Sequence, residues 1–386
     1  MSRFSPSSGG GSSVGSSLGN SIVAMGDSIT IGAGSATISG WNSDNSWFSH
    51  ACFQSSGKLR LVYNGGISGQ RSDQIITRIS TDVIAKNPKM CAILAGTNDV
   101  NGSTLATYLS SMEGMVKQLI GVGITPILCT IPPMGTTTAL RSKTTQLNII
   151  IRQLAQKYKL NLVDFYSLLV DPATGNFITG YSADNIHPNA ATSKLMGQTF
   201  ANQISPLLPN GDGFLPVFNN DTANGILGGL FLTDTNADGI GDNWTTSGTG
   251  AATFSLITDA NIKGRWQEVS KTVNDTNAIT IQSNVIATSG AGFSPGDKII
   301  VCARIRTEGI ESGAATFSFR LKWNGTSGGP YPMKDWSREF DGLVYQEITI
   351  PNPNTTLQIQ ITINQGIGKV RIAQAGIYNL TALGVV

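Results

Sequence analysis

The sequence predicts a chain of two parts, an α/β domain with a parallel sheet followed by an all-β sandwich domain. Across residues 22–165, short runs that are apolar throughout alternate with segments of helical period, as expected for parallel strands covered by helices on both faces. Beyond residue 210, apolar and polar residues alternate, which is typical of antiparallel strands with one buried face. The length of 386 residues fits two domains of ordinary size.

The elements of the first part follow one another in a βα order. Its predicted strands are the apolar runs at residues 22–25, 59–63, 91–95, 126–130 and 162–165. Apolar residues spaced by three or four positions predict helices that include residues 105–119 and 147–154, and a last helix-like segment spans residues 190–204.

The second part begins where the helical pattern stops. The segment PLLPNGDG at residues 206–213 breaks the pattern, so we place the boundary near residue 209 and assign domains to residues 21–208 and 209–386. Strand patterns separated by Gly, Pro and Asn then recur at residues 278–282, 298–306, 317–323, 357–363 and 369–377. Residues 1–20 are rich in Ser and Gly and are predicted to form a flexible arm.

The composition excludes two classes of protein. Lys and Arg number 26 against 24 Asp and Glu, so the formal charge of +2 is too small for the basic field that nucleic-acid binding requires. Charged residues make up 13% of the chain and hydrophobic residues 40%, which excludes a highly charged disordered chain. The polarity comes instead from 45 Gly and from many Ser, Thr and Asn, which suit turns and surfaces facing sugars or water.

Neither a membrane span nor an export signal is predicted. No apolar stretch reaches the ~18 residues of a membrane helix, and the N-terminus lacks the apolar core of a secretory signal. We therefore expect a soluble chain that is not exported by its own N-terminus, with a signal lost during maturation as the alternative.

The cysteines are predicted to be buried free thiols. Cys52, Cys91, Cys129 and Cys302 form no CxxC pair, and most of them lie in apolar runs. This spacing is untypical of a disulfide framework or of a zinc site.

A serine follows the first predicted strand. In the segment GDSIT at residues 26–30, Ser28 lies where a strand turns into a helix, at the carboxyl end of a parallel sheet, where ligands bind. Such a turn exposes the hydroxyl and directs the backbone N–H toward the group that is attacked. An ordinary Gly-Asp-Ser turn is the alternative interpretation.

Two further loops at the same edge carry candidate oxyanion donors. Gly69 follows the second strand in a glycine-rich loop, and Asn98 follows the third strand in the segment GTND. The Gly69 N–H and the Asn98 side-chain amide could both stabilise a negative oxygen. A plain glycine loop and an Asn-Asp turn are the structural alternatives.

The segment DNIHP at residues 184–188 contains one of only two histidines in the chain. A general base near neutral pH is usually His, and a carboxylate such as Asp184 can fix the tautomer of His187 by accepting its Nδ1–H. The other histidine, His50, has no carboxylate within three residues and is predicted to serve packing or to lie at the surface.

In their order and strand context, these four segments resemble the sequence blocks of the SGNH, or GDSL-type, esterases and acyl hydrolases, over residues 21–207. Ile29 stands where Leu is usual. The resemblance implies a flavodoxin-like three-layer α/β/α hydrolase in which Ser28 is the nucleophile, His187 the base and acid, and Asp184 the residue that orients it. It also implies an oxyanion hole formed by the Ser28 N–H, the Gly69 N–H and the Asn98 amide, and catalysis without a metal or other cofactor.

A calcium loop is one interpretation of residues 234–242. Asp234, Asn236, Asp238 and Asp242 have the oxygen-ligand spacing of such a loop, with Gly at the sixth position, but Thr245 stands where an EF-hand requires Glu. The segment is more similar to the short calcium loops of thrombospondin-type repeats. A solvated Asp/Asn turn is the other interpretation, and the sequence leaves a structural calcium ion open.

The strand pattern of the second part resembles jelly-roll carbohydrate-binding modules. Its aromatic residues can stack on sugars or fill the sandwich core. Trp323 lies on an alternating apolar face and is predicted to be core. Tyr331 and Trp336 lie in or next to a stretch rich in Gly and Pro, and they are the predicted exposed sugar-binding residues.

The sequence as a whole favours a serine esterase that removes O-acetyl groups from a polysaccharide. Low charge, the Gly/Ser/Thr/Asn content and the N-terminal arm resemble those of bacteriophage tail proteins that modify capsule or lipopolysaccharide, so a virion is the expected setting. A secreted bacterial carbohydrate or lipid esterase is one alternative, and a non-catalytic glycan-binding tail-fibre protein is the alternative of another class. Association with other virion tail proteins, or with further copies of the chain, is left open.

Overall fold

The structure, a computed structural model, describes residues 20–32, 43–135, 137–208, 214–219, 221–288, 292–324, 329–354 and 356–385. The predicted N-terminal arm, apart from Asn20, and the predicted boundary at residue 209 lie outside these residues.

The described α-helices all lie in the first part of the chain, and short 3-10 turns follow several of them. Their bounds are α1 (Ser28–Ile31), α2 (Trp47–Phe53), α3 (Ser72–Ile75), α4 (Ile79–Asp82), α5 (Asp99–Gly102), α6 (Leu105–Gly121), α7 (Thr138–Tyr158), α8 (Phe165–Leu169) and α9 (Ala190–Ile204). The 3-10 turns are Ile76–Arg78, Ile84–Lys86 and Ser205–Leu207.

Strands alternate with these helices at first and then follow one another directly. The first five are β1 (Ser21–Gly26), β2 (Arg60–Gly66), β3 (Met90–Leu94), β4 (Thr125–Cys129) and β5 (Asn161–Val163). The later ones are β6 (Thr245–Gly248), β7 (Ala252–Thr258), β8 (Arg265–Lys271), β9 (Ile279–Gln282), β10 (Ile286–Ala287), β11 (Lys298–Glu308), β12 (Thr316–Trp323), β13 (Met333–Trp336), β14 (Asp341–Thr349), β15 (Thr356–Gln365) and β16 (Gly368–Asn379).

The first five strands form the predicted parallel sheet, in the order β2-β1-β3-β4-β5. This is the flavodoxin-like strand order, in which the chain reverses its direction of winding between β1 and β3. The carboxyl ends of β1, β2 and β3 therefore lie side by side, and the loops that follow them meet at one edge of the sheet.

Both faces of this sheet are covered, as uniformly apolar strands require. Ile22 and Ala24 of β1 belong to a core shared with α2, α8 and α9, whereas Val23 and Met25 belong to a core shared with α3, α6 and α7. Successive residues of a strand point to opposite faces, so one apolar strand contributes to both layers.

Side-chain caps define where the long helices begin. Thr104, Thr137 and Asn189 precede α6, α7 and α9, and each accepts a hydrogen bond from a backbone N–H in the first turn. Such caps satisfy an N–H that has no partner inside the helix.

The second part of the chain is all-β, as predicted, and has two sheets. The strands β7, β8, β16, β11 and β14 form an antiparallel sheet, and β13, β12, β15, β9 and β6 form another, with β10 paired to β15. The alternating apolar residues of β12 and β15 are buried in the same core as those of β11 and β16. The two sheets thus pack through their apolar faces.

One arrangement was not predicted from sequence, namely the continuity of the two parts. β14 pairs with β2 in parallel through Gln346 and Leu61, which joins the parallel sheet and the first antiparallel sheet into one ten-stranded sheet. The core under α2 continues into the sandwich, where Phe53 contacts the rings of Trp336 and Phe340.

The four cysteines are buried and free, as predicted. Among the described residues, no helix is both long enough and apolar enough to cross a membrane.

Candidate active site

Ser28 lies in a tight turn at the carboxyl end of β1. The strand ends at Gly26 and α1 begins at Ser28, while the carboxylate of Asp27 caps this helix by accepting the Ile29 N–H at 3.0 Å. A Cβ at Gly26 would lie 2.4 Å from the Leu94 carbonyl oxygen, so the turn requires glycine there. Burial raises the pKa of Asp27 to about 6, although the hydrogen bond from Ile29 lowers it.

Three predicted side chains meet in one hydrogen-bonded chain. The Ser28 Oγ lies 2.9 Å from His187 Nε2, and His187 Nδ1 lies 2.7 Å from Asp184 Oδ2. When Nδ1 carries the ring proton and donates it to Asp184, Nε2 is left as the acceptor of the Ser28 hydroxyl. This is the arrangement that a base needs to take a proton from serine.

Asp184 is held as an ionised acceptor by its own loop. Its Oδ1 accepts the backbone N–H groups of Ile186 and His187, at 2.9 and 2.7 Å, and the Ser182 hydroxyl at 3.1 Å. Partial burial raises the pKa of Asp184, but the hydrogen bonds from the His187 side chain and from these backbone groups outweigh it and hold the pKa well below its usual range.

The three predicted oxyanion donors occupy neighbouring turns. Asn98 Nδ2 donates one hydrogen bond to the Gln70 carbonyl oxygen at 2.9 Å, which fixes the amide beside the loop of Gly69 and leaves its second N–H. Among the described residues, no acceptor takes the backbone N–H of Ser28 or Gly69. Gly69 has a φ of +80°, a left-handed conformation that favours glycine.

Buried polar residues that sequence reasoning missed support these turns. Asp99 is fully buried and accepts hydrogen bonds from the Ser72 N–H and hydroxyl and from the Ser103 hydroxyl. It therefore ties the loop after β2 to the loop after β3. Its position next to Asn98 was the available signal, but the sequence could not show that three donors converge on it.

Arg78 and Asn64 donate hydrogen bonds to backbone carbonyl oxygens at the strand ends and in α1. One Arg78 nitrogen, Nη2, donates to the carbonyl oxygens of Gly26 and Gly65, at 3.2 and 2.7 Å, and Nε donates to Gln70 Oε1 at 2.7 Å. The buried amide of Asn64 donates to the carbonyl oxygen of Thr30 in α1 at 3.1 Å. No motif in the sequence pointed to Arg78.

The prediction that Trp336 is an exposed sugar-binding residue was wrong. The side chain is fully buried, because β13 lies against α2 and the ring packs on His50, Phe53 and Phe340. His50 is buried in this contact, as the packing interpretation predicted. Tyr331 is half-buried, with Arg320 and Lys334 near its ring at 5.4 and 5.7 Å.

The residues of the predicted calcium loop are hydrogen-bonded to one another within that loop. Asp234 accepts the backbone N–H groups of Asp238 and Gly239, Asp242 accepts the backbone N–H and hydroxyl of Thr235, and the Asn236 amide nitrogen donates to Asp238. No group of three or more His, Cys, Asp or Glu able to hold a metal occurs among the described residues. The structural calcium ion stays a prediction.

A family model matches the first part of the chain. Residues 24–195 match the family model described as GDSL-like Lipase/Acylhydrolase. No curated protein matches the sequence.

The solved structures that are similar to this chain each align with about half of its residues. A lipolytic protein of the G-D-S-L family from Desulfitobacterium hafniense is 25% identical, with 47% of this chain and 98% of that chain covered and a TM-score of 0.42. An acylhydrolase from Bacteroides fragilis is 26% identical, with coverages of 49% and 88% and a TM-score of 0.41. An acetyl xylan esterase variant from Geobacillus stearothermophilus is 22% identical, with coverages of 49% and 96% and a TM-score of 0.42.

Proposed function

We propose that this chain, whose residues 24–195 match the GDSL-like Lipase/Acylhydrolase family model, hydrolyses esters by nucleophilic catalysis at Ser28. The observation that carries the proposal is the continuous hydrogen-bonded chain from Ser28 Oγ through His187 to Asp184. Serine is a weak nucleophile until an adjacent base takes its proton, and this chain places a base at hydrogen-bond distance from the hydroxyl.

In the proposed reaction, His187 Nε2 takes the Ser28 proton as Oγ forms a bond to the ester carbonyl carbon. The tetrahedral oxyanion accepts the N–H groups of Ser28 and Gly69 and the free amide N–H of Asn98. When the intermediate collapses, the alkoxide leaves with the proton from His187, and the acyl group remains on Ser28. Water, deprotonated by His187, then attacks the acyl-enzyme. The second tetrahedral intermediate releases the acid as His187 returns this proton to Ser28 Oγ.

We propose a polysaccharide O-acetyl group, borne by a bacterial capsule or another surface glycan, as the substrate. The support is the composition, because a chain with 13% charged residues and abundant Gly, Ser, Thr and Asn presents uncharged hydrogen-bonding groups suited to sugar hydroxyls. A phage virion is the proposed setting on the same ground. A secreted bacterial carbohydrate or lipid esterase is the enzyme alternative.

Ser28→Ala tests the assignment of the nucleophile. We expect the variant to lose acetate release from p-nitrophenyl acetate and from acetylated polysaccharide, whereas Ser110→Ala, an exposed position on α6, keeps the parent activity. Full activity of Ser28→Ala would contradict the proposal and would favour a glycan-binding protein without catalysis.

A substrate panel separates the proposed substrate from its alternatives. Acetate release from purified capsular polysaccharide, but not from acetylated plant polysaccharide, would support a surface glycan. Preference for plant polysaccharide would favour a secreted carbohydrate esterase, and fatty-acid release from lipid esters would favour a lipid esterase.

A further inference from the structure

A short segment of the β-sandwich, residues 337–339 directly after β13, contacts elements on both sides of the candidate active site. On the nucleophile side, the Ser337 N–H and hydroxyl donate to Asp44 Oδ2 at 2.9 and 2.6 Å. On the base side, Lys194 Nζ donates to the Glu339 carbonyl oxygen at 3.3 Å. Lys194 belongs to α9, whose first residue lies three positions after His187.

Asp44 lies two residues before Ser46, whose hydroxyl supports α1, the helix that begins with Ser28. The Ser46 hydroxyl donates to the Thr30 carbonyl oxygen of α1 at 2.7 Å and accepts the Asn64 amide at 3.0 Å. Ser46 and Asn64 are fully buried, and Asp44 is 5% exposed. A hydrogen-bonded path therefore runs from Ser337 through residues 44–46 to the helix that begins with Ser28.

His50 strengthens the same path from the side of α2. Its Nε2 donates to the Asp44 carbonyl oxygen at 2.9 Å, and its ring packs edge-on against Trp336, with 4.7 Å between the centroids. Asp44 is thus held through its backbone by α2 and through its carboxylate by the sandwich.

The nucleophile helix depends on such external support. It is a single turn, Ser28–Ile31, so its own backbone hydrogen bonds do little to fix its orientation. Proton transfer requires the Ser28 Oγ to stay at hydrogen-bond distance from His187, and a displacement of about 1 Å can lower the rate about 100-fold.

We propose that Ser337 is a positioning residue for Ser28, acting through Asp44 and Ser46. The inference rests on the proposed function, since it assigns the sandwich a part in the reactivity of the same serine. It gives the second part of the chain a role that does not depend on sugar binding.

The test compares Ser337→Ala and Asp44→Ala with Glu347→Gln in the full-length chain. Glu347 Oε2 lies 3.4 Å from Arg60 Nε, so this ion pair also bridges the two parts of the chain. Arg60 is the first residue of β2, whereas the candidate active site lies at the other end of that strand. With p-nitrophenyl acetate, we expect Ser337→Ala and Asp44→Ala to lower kcat by about 10-fold or more, with KM within about twofold.

Two further measurements separate positioning from general destabilisation. Ser337→Thr keeps both hydrogen-bond donors to Asp44 and is expected to recover most of kcat. Glu347→Gln is expected to keep the parent kcat, even if it lowers the melting temperature as much as Ser337→Ala does. The rate at which a fluorophosphonate labels Ser28, located by mass spectrometry, should fall in parallel with kcat.

Two results would overturn the inference. The first is parent values of kcat in Ser337→Ala and Asp44→Ala. The second is a loss of kcat in all the variants, Glu347→Gln included, that follows the loss of stability. Ser337→Ala removes one hydroxyl from a half-buried residue, so it keeps the test informative if Asp44→Ala does not fold. Activity that survives Ser28→Ala would instead overturn the proposed function.

Discussion

Asp184 and His187 are joined twice within one loop. The carboxylate of Asp184 accepts the ring Nδ1–H of His187 through one oxygen and the backbone N–H of the same residue through the other, each at 2.7 Å. One carboxylate thereby fixes both the ring and the main chain of the proposed base. The spacing of three residues suffices for this, without long-range packing.

Asp184→Asn is expected to lower kcat by about 10²–10⁴, because an amide can present N–H to Nδ1 and stabilise the wrong tautomer. The remaining amide oxygen can still accept the backbone N–H groups, so the melting temperature should change little. Steady-state kinetics on p-nitrophenyl acetate measures the effect. Asp171→Asn is the matched control, because the Asp171 carboxylate also accepts hydrogen bonds from its own loop, namely the Ala173 N–H and the Thr174 hydroxyl. Parent activity in Asp184→Asn would exclude the orienting role.

Asn98→Ala is expected to lower kcat by about 10²–10³, the cost of removing one oxyanion donor. KM should change far less, because the donor is used mainly in the transition state. The control is Asn101→Ala, which changes an exposed asparagine in α5, the short helix that directly follows Asn98. An unchanged kcat in Asn98→Ala would show that this amide does not stabilise the oxyanion.

Asp27 is expected to make stability depend on pH. Burial raises its pKa from 3.8 to about 6, so between these values the folded protein retains a proton that the unfolded chain has released. The free energy of unfolding should therefore fall as pH rises through this window, by up to about 3 kcal/mol for this group, and level off above it. Denaturant unfolding of Asp27→Asn should lack this component, and an identical pH dependence in parent and variant would contradict the assignment.

Trp336→Ala is expected to lower the free energy of unfolding by about 3–5 kcal/mol, as for other large aromatic residues removed from a core. The ring lies between α2 and the sandwich, so the loss should appear in thermal and denaturant unfolding. Tyr331→Ala is the comparison. Because the Tyr331 side chain is half-buried, its removal should lower the free energy of unfolding much less. Equal stability of Trp336→Ala and the parent would mean that the ring does not pack in this core.

Chelation of metal ions is expected to leave the melting temperature unchanged. The carboxylates of Asp234 and Asp242 already accept N–H groups of their own loop, and an ion would have to compete with these bonds. Thermal unfolding with EDTA, and again with millimolar calcium, measures this. A calcium-dependent rise in melting temperature that Asp234→Asn abolishes would contradict this expectation and support the calcium interpretation.

Local patterns predicted the elements of the molecule well. The period of the apolar residues located α9 at residues 190–204 and placed each strand of the parallel sheet within a few residues of its position. The loops that contain Ser28, Gly69 and Asn98 were predicted to share an edge because the carboxyl ends of parallel strands meet there. In the structure Ser28 and His187 lie within hydrogen-bond distance, although 159 positions separate them.

Trp336 shows where sequence reasoning fails. Its neighbourhood of Gly and Pro indicated a loop, and loops usually lie at the surface. The residue is buried because α2, which lies far earlier in the chain, packs against it. Nothing in a local pattern specifies which distant surface will cover a side chain.

The sequence by itself determined the order of strands and helices, the α/β and all-β parts, and the set of residues that the edge of the sheet brings together. These features follow from the period of burial and from turn chemistry, which act over a few residues. The tertiary structure alone decided that β14 extends the parallel sheet and that Ser337 reaches Asp44 beside the nucleophile turn. Such contacts depend on the complementarity of two assembled surfaces, which no single segment encodes.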